Sequence, residues 1–189
     1  MTTFIYIDTN DIEFNDINDL FININVSPIQ LEHEGFVGQL IKKVASFGLS
    51  PHNINIEITE SAMMTEEDRL ITPLSYLYEQ GFGIHIDDFG TGYSSLARLK
   101  ALPLSGIKID RSFIQDIAQC NESLQLVQAI CAIADTFNLK VTAEGVETIE
   151  QIHILQSLYC QQLQGFYLAK PLNPLDAQLL ISNNHRKTA

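Results

Sequence analysis

Short runs that read as strands alternate along this chain with longer stretches whose apolar residues recur at helical spacing. Phe21-Ile22-Asn23-Ile24-Asn25-Val26 predicts a strand that stops at Ser27-Pro28, and Phe36, Leu40, Ile41, Val44 and Phe47 predict a helix that Gly48 ends. The unit then recurs. Asn53 to Ile58 predicts a strand, Thr59 to Ser61 a turn, and Thr65 to Gln80 a helix with a kink at Pro73. Phe82 to Asp87 is the next strand, leading through a glycine-bearing turn into the amphipathic stretch Ser94 to Leu102. Gly106 to Asp110 is another, joined through Arg111 to Cys120 to a helix over Glu122 to Phe137, with Leu126, Ile130, Ile133, Ala134 and Phe137 as its apolar face. Leu139 to Ala143 and Thr148 to Leu158 repeat the pair, and a short strand near Leu163 to Tyr167 with a helix near Leu175 to Ile181 closes the series. Ahead of these units, Phe4 to Ile7 could form a short strand, whereas Asp8 to Asp19 is acidic, rich in Asn and irregular.

About six β-α units in succession with short loops imply parallel strands and crossover helices, in an open doubly wound sheet or a closed barrel. Side-chain parity separates the two. Residues two before Asn25, Glu57, Asp87, Lys108 and Glu144 are Asn23, Asn55, His85, Gly106 and Thr142, all polar or small. The alternate positions Ile22, Ile24, Ile54, Ile56, Ile84, Ile86, Ile107, Ile109 and Val141 are aliphatic. One face of each strand therefore packs on helices and the other looks into a partly polar interior. That pattern suits a TIM-like (β/α) barrel, in the α/β class.

Composition adds limits. The 189 residues, 46% hydrophobic and 18% charged, suffice for one sizeable core. A net charge of -12, with no basic cluster longer than Lys42-Lys43 inside the fold, argues against duplex nucleic acid as a partner. It does not argue against a small anion, because bound metal ions invert the field of a carboxylate-rich site. Cys120, Cys131 and Cys160 lack metal-like spacing and read as structural thiols in a reducing compartment. No apolar run approaches a membrane span, and the expected location is cytoplasmic.

The candidate chemistry centres on Asp87-Asp88, where a buried strand ends. Adjacent carboxylates repel unless a cation or proton lies between them, so the pair points to divalent-metal chemistry. An isolated Asp-Asp is more often a helix cap beside a solvated carboxylate. In a barrel, however, chemistry gathers at the C-terminal strand ends, where Asn25, Glu57, Asp87 with Asp88, Lys108, Glu144 and Gln164 come from different strands. Four carboxylates and an amide are hard oxygen ligands suited to Mg²⁺ or Mn²⁺. Two such ions would clamp a phosphodiester, with Asp87 as a natural bridge and Lys108 orienting or deprotonating the attacking water or offsetting charge that develops on phosphate. His85, one layer below Asp87, reads as a core histidine rather than a ligand.

These residues lie in motifs that resemble the EAL-domain family of bacterial cyclic di-GMP phosphodiesterases. The motifs are Asn25-Val26-Ser27, Glu57-Ile58-Thr59-Glu60, Asp87 to Leu96, Lys108 to Phe113, Ala143 to Thr148, and Gln164-Gly165-Phe166 before Ala169-Lys170-Pro171-Leu172. The resemblance runs from about Leu20 to Ala177. It implies hydrolysis of cyclic di-GMP to linear pGpG at a two-metal site, with Asn25, Glu57 and Asp87 on one ion and Asp87 and Asp88 on the other. By the same resemblance Lys108 and Glu144 position and activate water, Gln164 completes the network, Glu60 and Thr91 hold the Asp88 to Ser94 loop, and Glu147 supports the site from behind. Ca²⁺ would inhibit. Homodimerisation and an upstream sensor or GGDEF-type domain are the further partners it allows.

One departure stands out. The family's Glu-Ala-Leu signature, and the Arg two residues after it, are absent from this sequence. The resemblance therefore implies a barrel incomplete at its N-terminus, with residues 1–19 as a leader or residual edge strand, 20–182 as a partial EAL-type barrel and 183–189 as a polar tail. It also implies impaired turnover, since the missing Glu is a metal ligand. A barrel lacking its first strand exposes a sheet edge, which favours self-association or cover by Phe4 to Ile7 or another chain. The alternative is an inactive module that binds cyclic di-GMP or a protein. A metal-dependent sugar or aldol-type enzyme would require the motif matches to be chance.

Overall fold

Strand formation follows the alternation of aliphatic and polar residues. In the computed structural model, which describes residues 7–8, 21–65, 67–92, 96–173, 175–177 and 179, these runs become β2 (Ile22–Asn25), β3 (Ile54–Thr59), β4 (Gly83–Phe89), β5 (Gly106–Ile109), β6 (Lys140–Glu144) and β7 (Gln162–Gln164). The six pair in parallel, in chain order. A two-residue strand, β1 (Ile7–Asp8), joins antiparallel to β7, giving the order β1-β7-β6-β5-β4-β3-β2. The curled sheet with its helices is an incomplete TIM-like barrel. Among the described residues β2 has no strand on its far side.

Parity decides what lies on each face. Ile54, Ile56, Ile58, Ile84, Ile86, Ile107, Ile109 and Val141 are buried in the main apolar core. Ile22 and Ile24 are only half-buried because β2 ends the sheet. The inward row Asn25↔Glu57↔His85↔Gly106↔Lys140 runs across five strands by direct register, so these side chains share one face.

The helices differ from expectation at a few points. The first connection holds two, α1 (Pro28–Glu32), closed by a Ser27–Gln30 capping box, and α2 (Phe36–Ser46). Phe47 lies past the last turn of α2, 66% exposed, with the Lys43 ammonium 4.9 Å from its ring, and so leaves the buried stripe. Next come α3 (Glu60–Thr65) and α4 (Glu67–Glu79), and α4 runs through Pro73 without a break. Buried Leu70, Leu74 and Leu77 seat that helix on both sides of the proline. After β4, α5 (Leu96–Ala101) lies within the predicted amphipathic stretch, of which Ser94 and Ser95 fall outside the described residues. The connection after β5 contains a short helix, α6 (Arg111–Gln115).

In α7 (Asn121–Thr136) the buried stripe is Val127, Ile130, Cys131 and Ala134; Leu126 turns outward because Cys131 serves as an apolar residue. A Thr148–Gln151 capping box starts α8 (Ile149–Ser157). β7 stops at Gln164, earlier than its pattern predicts, because Gly165 to Leu168 turns back on Val146: the Val146 amide donates to Gln164 O at 3.0 Å and the Tyr167 amide to Val146 O at 3.1 Å. A Cβ at Gly165 would overlap the Val146 backbone, so this contact needs glycine. Leu175 to Ala177 are helical, and the rest of the predicted last helix and the 183–189 tail lie outside the described residues, as do Phe4 to Tyr6. Of the cysteines, Cys131 and Cys160 are buried and Cys120 is half-buried, all as free thiols. Among the described residues no helix is long and apolar enough to cross a membrane.

Tyr159 follows α8 in the left-handed region (φ 58°) and is 85% exposed. Replacing it with glycine removes a steric cost of about 1 kcal/mol while sacrificing little packing. Tyr159→Gly is expected to raise the urea denaturation midpoint by a corresponding amount.

Candidate active site

Parallel pairing brings the C-terminal strand ends together, and with them the side chains that the motifs supplied. Lys108, on β5 and 2% exposed, lies at their centre. Its Nζ is 2.9 Å from Glu57 Oε1 on β3, 2.9 Å from Asp87 Oδ1 on β4 and 2.5 Å from Glu144 Oε1 on β6. One ammonium therefore faces three carboxylates from three strands, and Asp88 adds a fourth carboxyl.

Asp88 reaches the site by an irregularity. Successive residues of a regular strand point to opposite faces, which would send Asp87 and Asp88 apart. The β4–β5 register shifts between Ile86 and Phe89, and Asp88 adopts φ 55°. As a result Asp87, Asp88 and Glu144 each offer an oxygen within 4.8 Å of the others. The loop that follows is held by Glu60, 1% exposed, whose Oε2 accepts from the Gly90 amide at 2.9 Å and the Gly92 amide at 3.0 Å. Thr91 Oγ1 donates to Asp88 O at 2.8 Å.

The charge distribution is unbalanced. Burial pushes the Glu57 carboxyl above its ordinary value, and the Lys108 ammonium offsets this only in part. Glu144 is raised by the same burial against the same ammonium, and Asp88 is raised by burial and then by the Asp87 carboxylate beside it. Four carboxyls against one ammonium leave a demand for further positive charge. Gln164 Oε1 is buried with no hydrogen-bond partner among the described residues, an acceptor awaiting a donor. The oxygen-rich donor set and this orphaned acceptor fit divalent cations with bound water.

Asn25 ends β2 in register with Glu57. Glu147 stands at the rim, where it accepts from Arg111 Nη2 at 3.0 Å. Arg111 and Glu147 line a cleft of about 170 Å³ that runs from Glu144 and Gln164 to Phe166 and Lys170. Two residues outside the sequence-derived set take part. Arg111 lays its stem over Gly145, where a Cβ would collide with it. Asn23 donates from Nδ2 to Glu57 Oε1 at 2.5 Å and accepts from Asn55 Nδ2 at 2.9 Å. The polar parity of Asn23 and Asn55 was the signal for that chain; its direction, toward Glu57, needed the register.

The chain belongs to the EAL domain family, whose sequence pattern matches residues 3–171. It is 44% identical over 154 residues to the Pseudomonas aeruginosa bifunctional diguanylate cyclase/cyclic di-GMP phosphodiesterase MucR, covering 82% of this chain and 22% of MucR. Against the cyclic di-GMP phosphodiesterase NbdA of the same organism it is 41% identical over 158 residues, covering 84% of this chain and 20% of NbdA. It thus spans about a fifth of each of these relatives. Among solved structures, the PaMucR phosphodiesterase in complex with c-di-GMP superposes with a TM-score of 0.81 at 42% identity, over 85% of this chain and 65% of that one. A manganese/cy-diGMP complex of Klebsiella pneumoniae BlrP1 superposes with a TM-score of 0.74 at 34% identity, over 79% of this chain and 38% of that one.

Two outcomes follow from this geometry. Glu60→Ala leaves the Gly90 and Gly92 amides without their acceptor and is expected to cost about 2 kcal/mol, with faster hydrogen exchange at those two amides. The second concerns pH. Glu57, Glu144 and Asp88 hold protons more tightly in the folded chain, so the stability they contribute is full below their ordinary values of 4.5 for Glu and 3.8 for Asp. It is lost as pH rises through the raised folded-state values. Asp88→Asn, in metal-free protein, is expected to restore about 0.5 kcal/mol at neutral pH, small because the group is half in solvent, and nothing on the acid side of that range. Thermal unfolding measured at both pH values tests it.

Proposed function

We propose that this chain binds cyclic di-GMP and hydrolyses it to linear pGpG, with turnover limited by the lack of a signature Glu. The observation that carries this reading is the convergence of Glu57, Asp87, Asp88 and Glu144 on Lys108 at the C-terminal ends of parallel strands. Asn25, Glu57 and Asp87 would hold one divalent cation and Asp87 with Asp88 a second, Mg²⁺ or Mn²⁺. When bound, such ions polarise the phosphoryl oxygen and acidify water.

The chain's own groups do the rest. Glu144, with its carboxyl raised by burial, accepts the proton of the attacking water, a task that favours a base closer to neutrality. Lys108, positioned between Glu144 and Asp87, orients that water and offsets charge developing on phosphate. Gln164 Oε1 accepts a hydrogen bond from water in the same network. Glu60 and Thr91 keep the Asp88 loop in its working shape, and Glu147 fixes Arg111 over the cleft. Residues 20–182 form the catalytic unit in this reading.

A second reading is binding without cleavage. It is favoured by one fact: no Glu-Ala-Leu tripeptide occurs anywhere in the 189 residues. Titration of the protein with cyclic di-GMP in Mg²⁺ and then Ca²⁺, with chromatographic assay of the Mg²⁺ sample for pGpG, separates the two. The first reading expects binding in both ions and slow product only in Mg²⁺, abolished by Asp87→Asn and reduced about a hundredfold or more by Lys108→Met. Binding with no product in Mg²⁺ supports the second, and neither binding nor product from folded protein overturns both.

A further inference from the structure

We infer that Asn55 and Asn23 form a positioning relay for Glu57, in which Asn55, a layer below the carboxylate cluster, sets through the Asn23 amide the orientation in which Glu57 meets a divalent cation. The hydrogen bonds are those of the folded chain; their consequence for metal rests on the two-metal reading above.

Register builds the relay. Asn23 and Asn55 are direct partners in the parallel β2–β3 pairing, and Asn25 and Glu57 are the next pair on the same face. Side-chain bonds link the two layers. Asn55 Nδ2 donates to Asn23 Oδ1 at 2.9 Å, and Asn23 Nδ2 donates in turn to Glu57 Oε1. Asn55 and Glu57 are buried and Asn23 is half-buried, so these bonds lie largely out of water.

The relay has a direction. A primary amide donates only from its nitrogen and accepts only at its oxygen. Glu57 Oε1 already accepts from the Lys108 ammonium at 2.9 Å, so what it takes from β2 is a second donor. Asn23 could turn either end of its amide toward that oxygen. The Asn55 donor engages Asn23 Oδ1 and thereby commits Nδ2 to Glu57. With donors from β2 and β5 meeting on one oxygen, the carboxylate is held against rotation. Hydrogen-bond partners behind a metal ligand commonly govern affinity by about ten- to a hundredfold.

Gly83 secures the lower end. It pairs with Asn55 across β3 and β4, and a Cβ there would overlap Asn55 Oδ1. The bare position on β4 leaves the Asn55 amide its place beside Asn23. The relay also pins an edge: among the described residues β2 pairs only with β3. A side-chain link between these two strands therefore reinforces the backbone pairing just below Asn25, the residue proposed to share an ion with Glu57.

Asn55→Asp keeps the shape of the side chain and removes its donor. Asn23 then turns its nitrogen to the new carboxylate and its oxygen to Glu57. Coulomb attraction from an added negative charge would by itself tighten a cation, so simple electrostatics and the relay predict opposite signs. Affinity of the whole chain for Mn²⁺ is read from the electron-spin-resonance signal of the free ion, and NMR of the metal-free protein follows exchange of the Asn23 side-chain amide protons. Asn55→Asp and Gly83→Ala are each expected to weaken Mn²⁺ about tenfold or more and to speed that exchange. Asn23→Leu should weaken Mn²⁺ as much, and combining it with Gly83→Ala should add little, because both break one relay. Thermal unfolding shows that each variant is folded; should Asn55→Asp fail this check, Gly83→Ala, which displaces only the amide, decides. Mn²⁺ affinity that is unchanged or tighter in the folded variants, or losses in Asn23→Leu and Gly83→Ala that multiply, overturns the relay and leaves the two-metal reading standing. A wild-type chain that binds no Mn²⁺ overturns both.

Discussion

A single buried ammonium holds the functional end of this molecule together. Glu57, Asp87 and Glu144 belong to three different strands, and their negative charges would force those strand ends apart in a site this dry. Lys108 is positioned between them because β5 lies between β4 and β6, with Glu57 brought in from β3 by the sheet's curl. The compensation is incomplete, and the raised Glu57, Asp88 and Glu144 carboxyls record the shortfall. The same shortfall that costs stability would favour a divalent cation in the function proposed above. Stability and function therefore draw on one electrostatic imbalance.

The rest of the site is built to keep that imbalance in shape. Glu60 sits at the start of α3 and spends its carboxylate on two loop amides, so the turn after Asp88 is fixed from the neighbouring β-α unit. Asn55 and Asn23 pass a hydrogen-bond chain upward to Glu57, fixing the orientation of a carboxylate that Lys108 alone would leave free to pivot. Gly145 and Gly165 allow the loops after β6 and β7 to close over Arg111 and Val146, which sets one wall of the cleft.

The barrel interior is polar from one end to the other, and the two ends use that polarity differently. At the C-terminal end the inward residues are long and charged and meet one another. Toward the N-terminal end glycines alternate with Asn55, His85 and Lys140, so the side chains stand around space instead of filling it. The aliphatic outer face, packed under α4, α6 and α7, carries the apolar core and leaves the interior to chemistry.

The sequence by itself determined the strand positions, the barrel-like parity and the identity of the residues around Lys108. These depend on local period and on motif spacing, which a linear chain records directly. It also identified the Gly48 stop of α2, since such a stop is made within one turn. Only the tertiary structure decided how those pieces face each other. Asp88 belongs to the wrong face by parity, and the register shift with its left-handed backbone returns it to the site. Glu144 joined the Asp pair from β6, two strands away, and Asn23 acquired its partner through a register of parallel pairing. Leu126 and Phe47 fit a helical period yet face solvent, because which side of a helix is buried is settled by what the sheet presents to it. His85 read as a core residue, and it is buried; that its Nδ1 has no partner among the described residues, and that its ring lies against Gly106 on the next strand, depended on a pairing that no local pattern spans.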